Sequence, residues 1–150
     1  MAGPLMHMVS IQADANKIYE ALSTGKGLAG FWTADSHAEP KTGSIARFGF
    51  GGPVLEMTVE ELTPGKRVRW STRSGFDAWN GTSVTWDIKP GKDGANEVWF
   101  DHDGWPEALP PSDLASVNYT WGRVVGRLKK YAETGKPVPY FPEPIQFPSP

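Results

Sequence analysis

The stretch WFDHDGWP, residues 99–106, holds the side chains best suited to chemistry in this 150-residue chain. His102 stands between Asp101 and Asp103, and an imidazole beside carboxylates suits a metal site or acid–base work. Side chains alternate between the two faces of a strand, so His102 shares a face with Phe100 while both aspartates take the other. The three groups cannot converge on one ion, and we predict no metal site. His102 should point inward, either as a polar contact for a ligand or as a histidine held by a backbone hydrogen bond.

The composition argues against several classes of function. Fifteen basic and 17 acidic residues give a net charge of −2, which does not suit a nucleic-acid partner. The absence of cysteine excludes disulfides and thiolate metal sites. The N-terminus has no basic leader, and no apolar stretch is long enough to span a bilayer. We therefore expect a cytoplasmic protein with no membrane partner and no cofactor.

Alternation of polar and apolar residues predicts the elements that position these side chains. A first strand at 5–11 is followed by a helix that begins after Asp14 and by a second short helical piece at 27–32. Short alternating runs separated by turn residues then predict an antiparallel meander, with a bulge near Glu60 and Glu61. Its six strands are placed at 34–39, 44–50, 54–62, 67–72, 82–89 and 96–102.

A long amphipathic helix is predicted to begin near 111–113 and to end at Gly135. Its apolar stripe follows helical spacing through Leu114, Val117, Trp121, Val124, Leu128 and Tyr131. The residues from 137 to 150 include six prolines. We divide the chain into a domain at 1–136 and an extended tail at 137–150, which is either loose or laid over the body by Tyr140, Phe141 and Phe147.

Five segments in register carry a family resemblance over nearly the whole chain to about residue 137. They are ADANKIYEALSTGKGLAGFWT (13–33), VEELTPGKRVRW (59–70), GTSVTWDI (81–88), HDGWP (102–106) and YTWGRVVGRLKKYAETGKP (119–137). The chain resembles the START-like, or SRPBCC, superfamily, and within it the branch related to the activator of the heat-shock-protein ATPase. The resemblance implies an α+β helix-grip fold, in which a curved antiparallel sheet wraps around the long C-terminal helix. It also implies a hydrophobic cavity between the two, but no single chemistry.

Seven tryptophans supply bulky apolar side chains for such an interior. Strand alternation and the two helices place a set of aromatic rings around the cavity: Trp32, Phe48, Phe50, Trp70, Trp86, Phe100 and Trp121. His102 and Tyr119 are the candidate polar contacts. The same rings could instead pack together and leave little room, so both a ligand pocket and a filled core stay open at this point.

These residues predict non-catalytic binding of an apolar or aromatic small molecule. One alternative is an enzyme that acts on a small hydrophobic substrate in the same cavity, with His102 as acid or base. The other is a chaperone accessory that works through its outer surface. A chaperone and a second copy of the chain are therefore also candidate partners.

Overall fold

In the computed structural model, which describes residues 3–142, seven strands form one antiparallel sheet in the order β1-β7-β6-β5-β4-β3-β2. Three α-helices and a short 3-10 helix accompany the sheet, and the α+β helix-grip prediction is confirmed. The strands are β1 (Leu5–Ile11), β2 (Ser36–His37), β3 (Ile45–Gly49), β4 (Val54–Thr63), β5 (Arg67–Ser74), β6 (Ser83–Pro90) and β7 (Asn96–Asp103). The helices are α1 (Ala15–Ser23), α2 (Gly25–Phe31), the 3-10 helix Asp77–Trp79 and α3 (Pro111–Thr134).

The predicted strand at 34–39 is the one that differs most from the structure. Only Ser36–His37 pairs with β3. The Ser36 hydroxyl donates to the Thr33 carbonyl at 2.6 Å, which bends the chain just before the strand. The predicted bulge in β4 is confirmed, because the register with β5 shifts between Val59 and Glu61.

The junction of α1 and α2 depends on Thr24. Its backbone N–H donates to Glu20 at the end of α1, and its hydroxyl oxygen accepts from Gly27 N–H at the start of α2. Gly25 therefore begins α2, two residues before the start that the sequence predicts for this helical piece. Gly27 lies so close to the backbone of Ala21 that a Cβ there would meet its Cα at 2.4 Å.

Helix α3 has the predicted bounds and ends at Gly135, which adopts the left-handed conformation at φ 74°. Trp121, Val124 and Leu128 of its apolar stripe are buried against the sheet and α2. Gly122 lies against His7 of β1, with 3.1 Å between an ideal Cβ at Gly122 and the His7 ring. No helix within residues 3–142 has the length and apolar character needed to cross a bilayer.

The first residues of the proline-rich tail run beside the end of α2. The N–H groups of Val138, Tyr140 and Phe141 donate to Gly30, Phe31 and Trp32, at 2.8, 3.1 and 2.8 Å. Of the two arrangements considered, the structure thus shows the tail laid over the body as far as residue 142. Phe147, the third ring predicted to hold it, lies outside the described residues.

Candidate functional site

A cavity of about 260 Å³ lies between the first turns of α3, the 3-10 helix and the tail. One side of its wall comes from α3, through Ser116, Val117 and Thr120. The rest is aromatic, and its six rings come from five separate parts of the chain: Trp32, Phe50, Phe76, Trp79, Trp121 and Phe141.

Three of the predicted wall residues, Trp32, Phe50 and Trp121, line this cavity. The other four predicted rings are fully buried behind it, where they fill the interior between sheet and helix: Phe48, Trp70, Trp86 and Phe100. Trp32 joins the two groups, because its ring stacks on Trp70 at 6.1 Å with an interplanar angle of 7°. The aromatic set therefore packs together over most of the interior and leaves a cavity at one end.

Sequence reasoning missed three of the rings in the wall. Phe76 and Trp79 lie in the β5–β6 connection, which strand alternation does not cover. The 3-10 helix brings them together, with their ring centroids 5.3 Å apart. Phe141 belongs to the tail, outside the segments that carry the family resemblance. The available signal was the density of large apolar residues in segments that otherwise look like loops.

His102 is completely buried, and both of its ring nitrogens are bonded within the protein. Trp121 Nε1–H donates to His102 Nδ1 at 3.1 Å, and an indole N–H can only donate, so Nδ1 carries the lone pair. The proton must then be on Nε2, which donates to the Thr82 hydroxyl at 2.9 Å. That hydroxyl in turn donates to the Trp79 carbonyl at 2.6 Å. The chain of donors fixes one tautomer of a neutral imidazole.

Burial also lowers the pKa of His102 to about 3, so the ring is neutral at physiological pH. It has neither a free lone pair nor a free proton, and it does not line the cavity. The sequence considered a ligand contact or a histidine held by the backbone; the structure instead shows side chains holding it. Trp105 covers the same ring at 4.2 Å and donates to the His102 carbonyl at 2.9 Å.

The two aspartates beside His102 do lie on the opposite face of β7, as strand alternation predicts. Asp103 is exposed and Asp101 half-buried. Partial burial, and then the neighbouring carboxylates of Asp103 and Asp87, raise the pKa of Asp101. This group of carboxylates is on the outer surface of the sheet and does not contribute to the cavity.

The prediction of Tyr119 as a polar contact in the cavity is corrected by the structure. Its side chain lies outside the cavity and is 65% exposed. The physical reason is the helical period of about 100° per residue, which puts Val117 and Trp121 on one face and turns Tyr119 away from it. Ser116 and Thr120 supply the hydroxyls at the wall instead, and the Thr120 hydroxyl donates to the Ser116 carbonyl at 3.0 Å.

The electrostatic character of the wall is neutral, because the described residues that line it include no Asp, Glu, Lys, Arg or His. A charge brought into such a wall would lose its hydration without gaining a partner. The site is therefore suited to uncharged groups, and the two α3 hydroxyls are among the side chains able to form hydrogen bonds.

A curved antiparallel sheet that grips a long C-terminal helix defines a START-like helix-grip protein. The family model of the activator of Hsp90 ATPase homolog 1-like proteins matches residues 12–133, and the chain belongs to this family. The resemblance noted from the sequence is thereby confirmed. No curated protein matches the chain.

Solved structures agree with this assignment. The Aha1 dimer from Colwellia psychrerythraea is 31% identical with a TM-score of 0.80, over 91% of this chain and 99% of that chain. DynU16, encoded in the dynemicin biosynthetic locus, is 29% identical with a TM-score of 0.74; the match covers 93% of this chain and 51% of that chain. Protein BH1534 from Bacillus halodurans is 20% identical with a TM-score of 0.73, over 88% and 98% of the two chains, and shows the fold alone.

Proposed function

We propose that this protein binds an uncharged, mainly aromatic small molecule in the cavity under α3, without converting it chemically. The observation that carries the proposal is the wall itself, in which six aromatic rings meet two hydroxyl-bearing side chains and no charged group among the described residues. Small-molecule sites usually have this form, a concave apolar wall with a few polar groups. An engineered cavity of about 150 Å³ holds benzene. At about 260 Å³, this cavity has room for a ligand of two rings.

The driving force would be burial of the ligand's apolar surface. Roughly 200 Å² of apolar surface contributes about 5 kcal/mol before ordering costs, at 25 cal/mol per Å². Burial alone therefore gives at best a submillimolar dissociation constant, because the ordering costs reduce the roughly 5 kcal/mol. A hydrogen bond to Ser116 or Thr120 would add affinity and fix the ligand's orientation.

The test uses the fluorescence of prodan, an uncharged naphthylamine probe with two fused aromatic rings, titrated with the purified protein. Val117→Trp should fill the cavity from its α3 wall and weaken probe binding by about tenfold or more. Asn118→Trp is the matched control, because the same side chain is added at the neighbouring, exposed position on α3. Equal binding by the two variants, or no binding by the wild type, would count against the proposal.

The enzyme alternative loses its candidate acid–base group, since both nitrogens of His102 are occupied inside the core. A chaperone-accessory role keeps specific support from the family, whose description names an activator of the Hsp90 ATPase. It is tested by adding the purified protein to an Hsp90-type ATPase. Stimulation that Glu60→Lys on the outer face reduces would favour this role, and an unchanged ATPase rate would remove it.

Two further properties belong to the same proposal. A relative that matches 91% of this chain is described as a dimer, which supports self-association of this protein as well. A cytoplasmic location fits a protein that takes up small apolar molecules, and it stays a prediction from the sequence.

A further inference from the structure

The two edges of the sheet differ in how they are protected. At one edge, β2 is two residues long, and just before it the Ala34 N–H donates to Phe141 of the tail at 2.9 Å. At the other edge, β1 is seven residues long and, within residues 3–142, pairs with β7 alone. A long, flat edge strand offers its free backbone groups to another strand unless something covers them.

The hydrogen-bonding pattern of the sheet determines which residues of β1 face this edge. Ile88 N–H donates to Lys66, so the even-numbered residues of β6 bond toward β5 and the odd-numbered ones toward β7. Pro90 pairs with Asn96 of β7 although it has no N–H. This fits the pattern, because an even-numbered residue of β6 donates no hydrogen bond toward β7. On β7 the even-numbered residues therefore bond toward β1, where their partners are odd-numbered. The even-numbered residues of β1 are left with their N–H and C=O groups pointing outward.

The outward groups near the end of β1 are capped by α3. Lys129 Nζ donates to the Ser10 carbonyl, and Gln12 N–H donates to Glu133 at 2.8 Å. Met6 and Met8 have no such cap among residues 3–142. Their side chains are also exposed, by 57% and 49%. Half of the edge is thus closed by the protein's own side chains, and the other half is open.

We propose that this open half of β1 pairs with β1 of a second copy of the chain, antiparallel and centred on His7. In this register Met6 lies opposite Met8 of the second copy, and each residue both donates and accepts a backbone hydrogen bond. The next pair places Ser10 opposite Pro4 of the second copy. Ser10 N–H donates to the Pro4 carbonyl, while the Ser10 carbonyl, already held by Lys129, faces a proline that has no N–H to offer.

The match between Pro4 and Ser10 is the reason for choosing a second copy as the occupant. Pro4 has no N–H to donate, and the Ser10 carbonyl is already occupied by Lys129. A twofold axis places these two residues opposite each other, so the edge is complementary to itself. A shift of the register by two residues in one direction would place Met6 N–H against the Ser10 carbonyl that Lys129 already occupies. The opposite shift would place the Met8 carbonyl against Pro4, which has no N–H to donate. The capped Ser10 carbonyl and Pro4 therefore favour the proposed register over both neighbouring ones.

The side chains on the outer face agree with the backbone argument. Met8 pairs across β1 and β7 with Trp99, which is 36% exposed. In the proposed dimer, Met8 has Trp99 on one side and Met6 of the second copy on the other. The methionines of both chains and the two indoles would form one continuous apolar band, and adjacent side chains across paired strands stabilise such a band.

The β1 edge is the interface for the self-association proposed above, and this proposal rests on that self-association. It does not depend on the binding of a ligand. Its first test is sedimentation of the full chain over a concentration series, from micromolar to submillimolar. Met6→Lys with Met8→Lys places lysines opposite each other across the twofold axis and should weaken the dimer by about tenfold or more. The control, Thr58→Lys with Thr85→Lys, adds the same charge on half-buried positions of β4 and β6, away from the edge, and should sediment as the wild type does.

The second test reads the register directly and uses the absence of cysteine from the natural chain. Met6→Cys and Met8→Cys are prepared as separate single variants. Directly opposite residues have Cα atoms about 5.5 Å apart, which suits a disulfide. On mild oxidation, a mixture of the two variants should form a cross-linked heterodimer faster than either variant alone.

Each outcome decides the proposal. A dimer that the edge lysines dissociate and the control does not, together with cross-linking that requires the mixture, supports it. A wild type that stays monomeric would overturn both self-association and the edge. A dimer indifferent to the edge lysines would leave self-association standing and overturn the edge. Faster cross-linking of a single variant would overturn the register.

Discussion

His102 connects four parts of the chain through side-chain and backbone hydrogen bonds. The ring belongs to β7, accepts from Trp121 of α3 and donates to Thr82, the residue just before β6. Thr82 then donates to Trp79, which places the 3-10 helix beside α3. One neutral imidazole thereby fixes the positions of two indoles that form the cavity wall. His102 thus holds two residues of the cavity wall in place and does not itself line the cavity.

The lowered pKa of His102 makes stability depend on pH with a definite sign. The unfolded chain takes up a proton near pH 6.5, whereas the folded ring does so only near pH 3. The stabilisation is therefore fully present above pH 6.5 and is lost as the pH falls toward 3. His102→Gln keeps an acceptor and a donor but does not titrate. Between pH 7 and pH 4.5 the wild type should lose about 2 to 3 kcal/mol more unfolding free energy than this variant, measured by urea denaturation. Parallel pH profiles of the two proteins would contradict this result.

At the scale of elements, the contact between α3 and β1 determines how the helix lies on the sheet. Gly122 lets the helix approach the ring of His7, and an added Cβ there would lie 3.1 Å from its Cε1 atom. At Gly126, one turn further along, an added Cβ meets no described atom within 4 Å. Further along the same helix, Lys129 and Glu133 form hydrogen bonds with the backbone at the end of β1. Close packing at Gly122 thus holds the middle of α3 to the edge strand, and hydrogen bonds of Lys129 and Glu133 hold its C-terminal turns.

The two glycines of α3 provide a matched pair of substitutions. Gly126→Ala should stabilise the protein by about 0.5 to 1 kcal/mol, because alanine favours the helix and the site is open. Gly122→Ala brings the same gain in helix propensity but presses on His7, so it should be less stable than Gly126→Ala by about 1 kcal/mol. Thermal and urea unfolding of both variants measure the difference. Equal stabilisation by both changes would show that the α3–β1 contact has room to spare.

At the scale of the whole molecule, the cavity depends on parts of the chain that are far apart in sequence. Trp32 follows α2, Phe50 follows β3, Trp79 lies between β5 and β6, and Phe141 comes from the tail. The Phe141 ring meets the Phe50 ring edge-on, with 5.1 Å between their centroids. The Phe141 N–H donates to the Trp32 carbonyl, and the Phe141 carbonyl accepts from Ala34 N–H. The tail therefore completes the wall in addition to covering α2.

Removal of the Phe141 ring should therefore affect ligand binding as well as stability. Phe141→Ala should destabilise the half-buried site by roughly 1 to 2 kcal/mol and weaken binding of the naphthylamine probe. Tyr140→Ala is the control, because Tyr140 packs near Arg127 with 6.0 Å between ring centroid and guanidinium carbon, and does not line the cavity. Denaturation and probe titration of both variants are the measurements. A loss of stability without any loss of probe affinity in Phe141→Ala would show that the tail does not form part of the site.

The amino-acid sequence by itself determined most of the architecture, because strand alternation and the apolar period of α3 are local patterns that any fold of this chain has to satisfy. It also assigned His102 to the inner face and the two aspartates to the outer one. Only the tertiary structure decided which rings leave a space and which fill it, since Phe48 and Phe50 follow the same strand alternation and differ in their neighbours. The structure also showed that Thr120, and not Tyr119, lines the cavity, and that Phe76, Trp79 and Phe141 belong to its wall. Contacts between distant segments depend on the register and depth of packing, and these have no counterpart in the local pattern of residues.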